Sequence, residues 1–96
     1  MYVLVTYDVA TADAAGRKRL AGVAKTCVRY GQRVQNSVFE CQVTPSEYVE
    51  LREALRRICD ESCDTVRLYN LGKNWAQRVE HIGAKVPYNA EDPFVF

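Results

Sequence analysis

The chain begins with an apolar run that ends in a single acidic residue. Residues 2–9 read YVLVTYDV, and the β-branched and aromatic side chains of this run favour a central β-strand. A carboxylate at the end of such a strand is costly to desolvate unless it meets water, a cation or a hydrogen-bond donor. We therefore expect Asp8 to lie at a sheet edge or in a crevice. The alternative is structural: Asp8 caps the turn or helix that follows.

The length and composition of the chain bound its class. A chain of 96 residues makes one domain, and 48% hydrophobic and 26% charged residues are ordinary for a soluble globular protein. No apolar run approaches the ~20 residues of a membrane span. The first residues include no basic segment with a cleavage site behind it, which leads us to expect a cytoplasmic protein.

Hydrophobic periodicity and turn residues predict five segments. In chain order they are a strand at 2–9, a helix at 17–30, a strand at 33–43, a helix from 44 to about 62, and a strand at 65–71. Gln35 and Asn36 mark a bend that would divide the third segment into a hairpin. This order predicts an α+β, ferredoxin-like βαββαβ sandwich, with an antiparallel sheet and two helices on one face.

The two helices differ in how clearly the sequence marks their ends. In the second helix, Thr44 suits the N-cap, Pro45 suits the first helical position and Glu47 completes a capping box. Before the first helix, residues 11–16 are small and polar, so we interpret them as a loop. Gly31 is expected to end that helix.

Two helices can cover only one face of the predicted sheet. Alternation within residues 33–43 places Phe39 and Cys41 on one side and Val38 and Glu40 on the other. The uncovered face would carry apolar groups from the first strand and from Phe39 or Val38. Such a patch is unusually large for a monomer, so we predict a homodimer in which a second copy covers it.

The C-terminal part is expected to extend the domain. We assign residues 1–72 to the ferredoxin-like domain and residues 73–96 to a C-terminal extension that packs on the domain or across the dimer. Residues 79–83 are interpreted as a short extra strand. The apolar end at 93–96 suggests docking, for example by strand addition.

The four cysteines, Cys27, Cys41, Cys59 and Cys63, include no CxxC pair, and His81 is the only histidine. Structural zinc sites usually show tighter paired spacing. We interpret the cysteines as buried free thiols. A redox or metal role for Cys59 and Cys63, one helical turn apart, remains open.

Basic residues outnumber acidic ones in residues 1–40. Six basic residues stand against three acidic ones: Arg17, Lys18, Arg19, Lys25, Arg29 and Arg33 against Asp8, Asp13 and Glu40. A basic surface beside a metal-binding carboxylate would suit a phosphate backbone. The alternative is a solvated helix face with no ligand.

Three segments together resemble the CRISPR-associated Cas2 family. They are YVLVTYDV at 2–9, YGQRVQNSVF at 30–39 and VRLYNL at 66–71, and they occur in this order. The resemblance covers residues 2–71, and the tail motif at 79–85 and the Asp92-Pro93 ending resemble one subset of the family. It implies a ferredoxin-like homodimer with magnesium-dependent endonuclease activity on RNA or DNA. It also implies a place in spacer acquisition, where the dimer and the CRISPR integrase subunit bridge a DNA duplex.

The same resemblance implies roles for particular residues. Asp8 matches the metal-binding aspartate at the end of the first strand, Tyr7 the aromatic residue before it, and Phe39 the phenylalanine that follows residues 37–38, and the resemblance makes these three the candidate catalytic residues. The residues implied in nucleic-acid binding are Arg17, Lys18, Arg19, Arg33 and Ser37. The loop before the first helix varies in length across the family, which affects the match of the basic residues there.

The chemistry of the residues leaves three functions open. Magnesium takes six oxygen ligands, usually including one or two carboxylates, and a two-fold dimer would supply Asp8 twice. Paired Asp8 residues would make a metal-dependent endonuclease, whereas aspartates too far apart would leave a DNA-bridging scaffold without catalysis. A more remote alternative is a small-molecule sensor. General-base catalysis by His81 would need the tail to fold back, and the sequence does not decide between RNA and DNA.

Overall fold

The structure is a computed structural model that describes residues 1–83. Its elements are β1 (Tyr2–Asp8), α1 (Ala14–Val28), β2 (Gly31–Gln35), β3 (Val38–Gln42), α2 (Pro45–Ile58), β4 (Thr65–Asn70) and the short α3 (Trp75–Arg78). The four strands form one antiparallel sheet in the order β2-β3-β1-β4. The predicted α+β, ferredoxin-like architecture is therefore confirmed.

The core lies between one face of the sheet and the two long helices. Along β1, Val3, Val5 and Tyr7 are buried against the helices, because alternate residues of a strand point to the same face. Strand β3 adds Phe39 and Cys41 to this face, as predicted. The helices contribute Val23 and Cys27 from α1 and Leu51 and Leu55 from α2.

The capping box predicted for the second helix is present. The Thr44 hydroxyl accepts a hydrogen bond from the Glu47 backbone N–H at 3.2 Å, and the Glu47 carboxylate accepts one from the Thr44 backbone N–H at 2.9 Å. Helix α2 then ends at Ile58, before the predicted end near residue 62.

The first helix begins earlier than predicted. Asp13 caps it by accepting a hydrogen bond from the Gly16 backbone N–H at 2.8 Å, so Ala14–Gly16 belong to α1 and not to a loop. The helix ends at Val28, and Gly31 opens β2 instead of ending the helix.

The predicted bend is a hairpin turn. Strand β2 ends at Gln35, β3 begins at Val38, and the register shifts between Arg33 and Gln35. The predicted sides of β3 are confirmed, since Phe39 is fully buried while Val38 lies on the face away from the helices.

The other face of the sheet, called here the open face, is mixed in character. It carries apolar side chains together with charged ones: Leu4, Thr6 and Asp8 from β1, Val38 and Glu40 from β3, and Arg67 and Tyr69 from β4. At one end of this face the ring of Trp75 stacks on Tyr2, with the centroids 3.9 Å apart. The short helix that carries Trp75 is absent from the sequence-based prediction.

The predicted extra strand is not found where it was placed. Residues 79–83 form neither helix nor strand, and the apolar end at 93–96 lies outside the described residues. The division of the chain at residue 72 stays a prediction. Among residues 1–83, no helix is long and apolar enough to cross a membrane.

Candidate nucleic-acid and metal site

Asp8 is the last residue of β1 and lies on the open face. It pairs with Thr65 of β4 in the antiparallel register, and its side chain is exposed. The neighbouring pair on this face joins Thr6 to Arg67. The guanidinium of Arg67 lies 5.1 Å from the centroid of the Tyr69 ring. Asp8 was predicted at a sheet edge or in a crevice, and it lies at the exposed end of an interior strand. Arg67 adds a cation to the same face.

The turn between β2 and β3 is fastened to the end of β1. The Tyr7 backbone N–H donates a hydrogen bond to the Ser37 carbonyl at 3.1 Å, and the Tyr7 hydroxyl donates one to the Asn36 carbonyl at 3.2 Å. These bonds bring Ser37 to the strand end that carries Asp8. Ser37 is therefore close to this strand end although it is distant in sequence, and its role in nucleic-acid binding stays a prediction.

Tyr7 and Phe39 lie behind the sheet from Asp8. Their rings are 6.2 Å apart within the core, and Phe39 is fully buried. Burial raises the pKa of the Tyr7 hydroxyl, which therefore stays protonated and donates its hydrogen bond. The structure does not bring these two side chains to the surface that carries Asp8, so their catalytic role stays a prediction.

Three of the predicted basic residues are exposed. Arg17 and Lys18 lie in the first turns of α1, where an Arg17 nitrogen lies 3.5 Å from the Thr11 carbonyl oxygen. Arg33 lies on edge strand β2, with its guanidinium 5.2 Å from the centroid of the Phe39 ring. Exposed cations of this kind suit contacts to phosphate.

Arg19 differs from its neighbours on α1 because it has a buried acidic partner. Its Nε lies 2.8 Å from a carboxylate oxygen of Asp64, and the Asp64 side chain is 0% exposed. The guanidinium of Arg19 holds the pKa of Asp64 well below its usual range, aided by the Asp60 backbone N–H. Sequence reasoning missed Asp64, because the pair joins residues 45 positions apart.

The comparisons with known proteins decide the family. The family described as CRISPR associated protein Cas2 matches residues 1–79. The chain belongs to the Cas2 family. A Chlorobaculum tepidum protein named CRISPR-associated endoribonuclease Cas2 is 55% identical over 95 residues, which cover 99% of each chain. A Halalkalibacterium halodurans protein named CRISPR-associated endonuclease Cas2 is 52% identical over 96 residues, which cover 100% of each.

Solved structures give the same family. The crystal structure of Streptococcus pyogenes Cas2 at pH 6.5 matches with a TM-score of 0.77 and 64% identity, covering 86% of this chain and 100% of that one. A chain of a partial Cas6-RT-Cas1–Cas2 complex matches with a TM-score of 0.64 and 29% identity, covering 84% of this chain and 89% of that one.

The Cas2 resemblance implies magnesium, and the donor atoms within residues 1–83 fit part of a magnesium site. Within residues 1–83, no three His, Cys, Asp or Glu side chains lie together in a way that could hold a metal ion. Magnesium is commonly held by one or two carboxylates, with water and substrate phosphate completing the shell. The exposed carboxylate of Asp8 fits the protein's share of such a site. His81 is exposed and lies 3.1 Å from the Gly83 carbonyl oxygen through Nε2.

The cysteines divide into two pairs. Cys27 and Cys41 are buried, and burial raises the pKa of each thiol to about 12, which keeps both uncharged and poorly reactive. The prediction of buried free thiols is confirmed for this pair. All four cysteines are free, but Cys59 is half-buried and Cys63 is exposed, so the prediction of burial is wrong for Cys63. Helix α2 ends at Ile58, so Cys59 and Cys63 are not one helical turn apart as predicted.

Proposed function

We propose that this Cas2 family protein is a metal-dependent endonuclease that cleaves phosphodiester bonds of RNA or DNA. The observation that carries the proposal is the exposed carboxylate of Asp8 at the end of β1. The names endoribonuclease and endonuclease of its relatives from Chlorobaculum tepidum and Halalkalibacterium halodurans support it.

In this proposal Asp8 would hold Mg²⁺, and water and a substrate phosphate would supply the other ligands. The bound ion would make a water molecule more acidic and neutralise charge on the phosphate. Arg17 and Lys18 would bind neighbouring phosphates and so position the strand, and Ser37 would border the site from the hairpin turn. Arg33 shares its side of the sheet with Phe39 and not with Asp8, so a phosphate that it binds would lie farther from the metal. Such contacts carry little base specificity, which suits cleavage with little sequence preference.

A homodimer would complete the acidic site. Asp8 lies on the open face together with Leu4, Val38 and Tyr69, so a second copy packed on this face would cover apolar surface. Two-fold symmetry then brings a second Asp8 to the same groove. Light scattering at micromolar concentration tests this: a dimer mass is expected, and a stable monomer contradicts it.

We also propose that the protein acts in CRISPR adaptation with the integrase subunit and duplex DNA as partners. The support is its likeness to a chain of the Cas6-RT-Cas1–Cas2 complex. Co-purification of the full chain with a CRISPR integrase subunit from the same organism tests this partnership: a stable complex is expected, and its absence contradicts the proposal.

Cleavage of labelled single-stranded RNA and of duplex DNA, with magnesium and with a chelator, tests the nuclease proposal. The wild-type protein is expected to cleave only with the ion, and Asp8→Asn is expected to lose cleavage while it still binds nucleic acid. Glu53→Gln serves as control, because it removes a carboxylate whose arginine partners lie on α2, at 3.4 and 3.5 Å. Cleavage by Asp8→Asn at the wild-type rate contradicts the proposal.

A DNA-bridging scaffold without catalysis is the second candidate. It is favoured by the exposed Arg17 and Lys18, which could bind a phosphate backbone without cleavage. Its binding would depend steeply on salt concentration, because phosphate contacts release counterions. Spacer acquisition in cells that carry Asp8→Asn decides between the two: full acquisition supports the scaffold, and its loss supports the nuclease.

A further inference from the structure

The carboxylate of Asp64 joins three separate parts of the chain. It accepts hydrogen bonds from the backbone N–H groups of Ala10 and Asp60, each at 3.0 Å. Arg19 donates through Nε at 2.8 Å and through Nη2 at 3.3 Å, and the Cys63 thiol lies at 3.5 Å. Asp64 thus connects the β1–α1 segment, helix α1 and the α2–β4 loop.

The ion pair of Asp64 and Arg19 is not explained by a large contribution to the stability of the fold. Taking a carboxylate and a guanidinium out of water has a desolvation penalty that commonly offsets their attraction, and apolar side chains of the same volume often stabilise a protein as well or better. A pair with this many geometrically defined hydrogen bonds instead defines the relative position of the groups that it joins.

The segment that the pair holds comes directly after Asp8. The N–H of Ala10 donates to Asp64, and the carbonyl oxygen of Ala10 lies 3.5 Å from Arg19 Nη2. Helix α1 also packs closely against this carbonyl at Gly16. The approach is so close that a Cβ atom at Gly16 would overlap the Ala10 oxygen. Both polar backbone groups of Ala10 are therefore held from the side of α1 and the α2–β4 loop.

These contacts complete the restraint of Asp8. Before it, β1 is held by its ladders with β3 and β4. After it, Val9 is buried in the core and Ala10 is bound by the ion pair. The backbone is thus restrained on both sides of a carboxylate whose own side chain is exposed.

We propose that Asp64 and Arg19 are positioning residues for Asp8, and that Arg19 acts by holding the backbone after Asp8 and not by binding phosphate. The inference rests on the proposed nuclease function of Asp8. A displacement of about 1 Å at a reacting group can lower a rate ~100-fold, so the pair affects the catalytic step without contact to substrate. Asp64→Asn keeps the size of the side chain but turns an NH₂ group toward donors that need an acceptor.

The kinetic test separates positioning from phosphate binding. Asp64→Asn and Arg19→Gln are expected to lower kcat ~10–100-fold, with KM and the salt dependence of binding unchanged. Arg17→Gln, on the exposed side of the same helix, is expected to raise KM and to reduce the slope of log K against log salt by about one. The inference is overturned if Arg19→Gln behaves as Arg17→Gln does, with kcat unchanged.

A double-mutant cycle tests whether Asp64 and Arg19 act as a unit. The combined variant is expected to have about the same kcat as the more impaired single variant, because either substitution alone already breaks the ion pair. Multiplied losses would show independent roles and contradict the inference. Gly16→Ala supplies a variant that displaces the Ala10 carbonyl while both side chains of the ion pair stay unchanged, and it is expected to lower kcat as well.

A second readout does not depend on activity. Hydrogen exchange of the Ala10 amide is expected to accelerate in Asp64→Asn and Arg19→Gln, and to stay unchanged in Asp8→Asn and in the control Glu53→Gln. If Asp64→Asn fails to fold, Arg19→Lys keeps the charge while losing the paired donors, and the same two measurements apply to it. Unchanged exchange and kcat refute the positioning role, whereas cleavage by Asp8→Asn refutes the nuclease proposal itself.

Discussion

Alternate residues of each strand lie on opposite faces of the sheet, and the two faces differ in burial and in their proposed roles. On the helix side, Val5, Tyr7 and Phe39 are buried in a continuous apolar core. On the open side, Thr6 is half-buried and Asp8 is exposed. Adjacent residues of β1 are therefore restricted in different ways. Core packing restricts the residues on the helix side, whereas the proposed chemistry restricts those on the open side. The proximity of Tyr7 and Asp8 along the chain says nothing about proximity at the site.

Removal of a core ring gives the largest expected effect. Phe39→Ala is expected to lower the free energy of unfolding by about 3–5 kcal/mol, because Phe39 is fully buried and packs against Tyr7. Urea unfolding of the variant beside the wild-type protein measures the change. A loss below about 1 kcal/mol would mean that Phe39 is not a core residue, and the contrast between the faces would fail.

Acid unfolding has the next largest expected effect, and it tests the ion pair of Arg19 and Asp64. The folded-state pKa of Asp64 is depressed, so its stabilisation is present above the unfolded-state pKa of about 4 and is lost as the pH falls further. The free energy of unfolding of the wild-type protein is expected to fall more steeply below pH 4 than that of Asp64→Asn. Parallel curves would show that the pair contributes nothing to stability.

The open face should respond weakly to loss of an aromatic ring. Tyr69→Ala removes the contact with the Arg67 guanidinium and is expected to lower the free energy of unfolding by about 0.5–1 kcal/mol. The same variant is expected to weaken the proposed homodimer, which light scattering over a range of concentrations measures. A loss comparable to that of Phe39→Ala, measured on monomer, would show that the open face is itself part of the core.

The smallest expected effect on stability belongs to Asp8. Asp8→Asn changes an exposed carboxylate, so the free energy of unfolding should stay within about 0.5 kcal/mol of the wild-type value. Differential scanning calorimetry measures this on the same preparations that are tested for cleavage. A large destabilisation would instead support the capping role for Asp8. A loss of cleavage could then follow from unfolding and would not show a catalytic role.

Local signals predicted the elements that depend on local physics. Strand β1 and the capping box at Thr44 are confirmed because alternation and capping act over a few residues. The start of α1 was wrong because Gly16 looks like a loop residue. It is glycine in a helix because the Ala10 carbonyl approaches it, which is a tertiary constraint.

The candidate site was predicted in part for the same reason. The exposure of Asp8 follows from its place at a strand end, and alternation alone could have put Tyr7 and Phe39 on the opposite face. The pair of Arg19 and Asp64 could not be found this way, because no pattern joins residues 45 positions apart. Arg19 looks from the sequence like one more exposed base of α1, and only its tertiary partner sets it apart.

The attachment of the hairpin turn by Tyr7 has a consequence for protein engineering. Both acceptors, at Asn36 and Ser37, are main-chain carbonyls, so substitution of either residue leaves the attachment intact. An inserted residue would move those carbonyls out of reach of Tyr7. This turn should therefore tolerate exchange of its side chains, but not an inserted loop or affinity tag, because an insertion adds length.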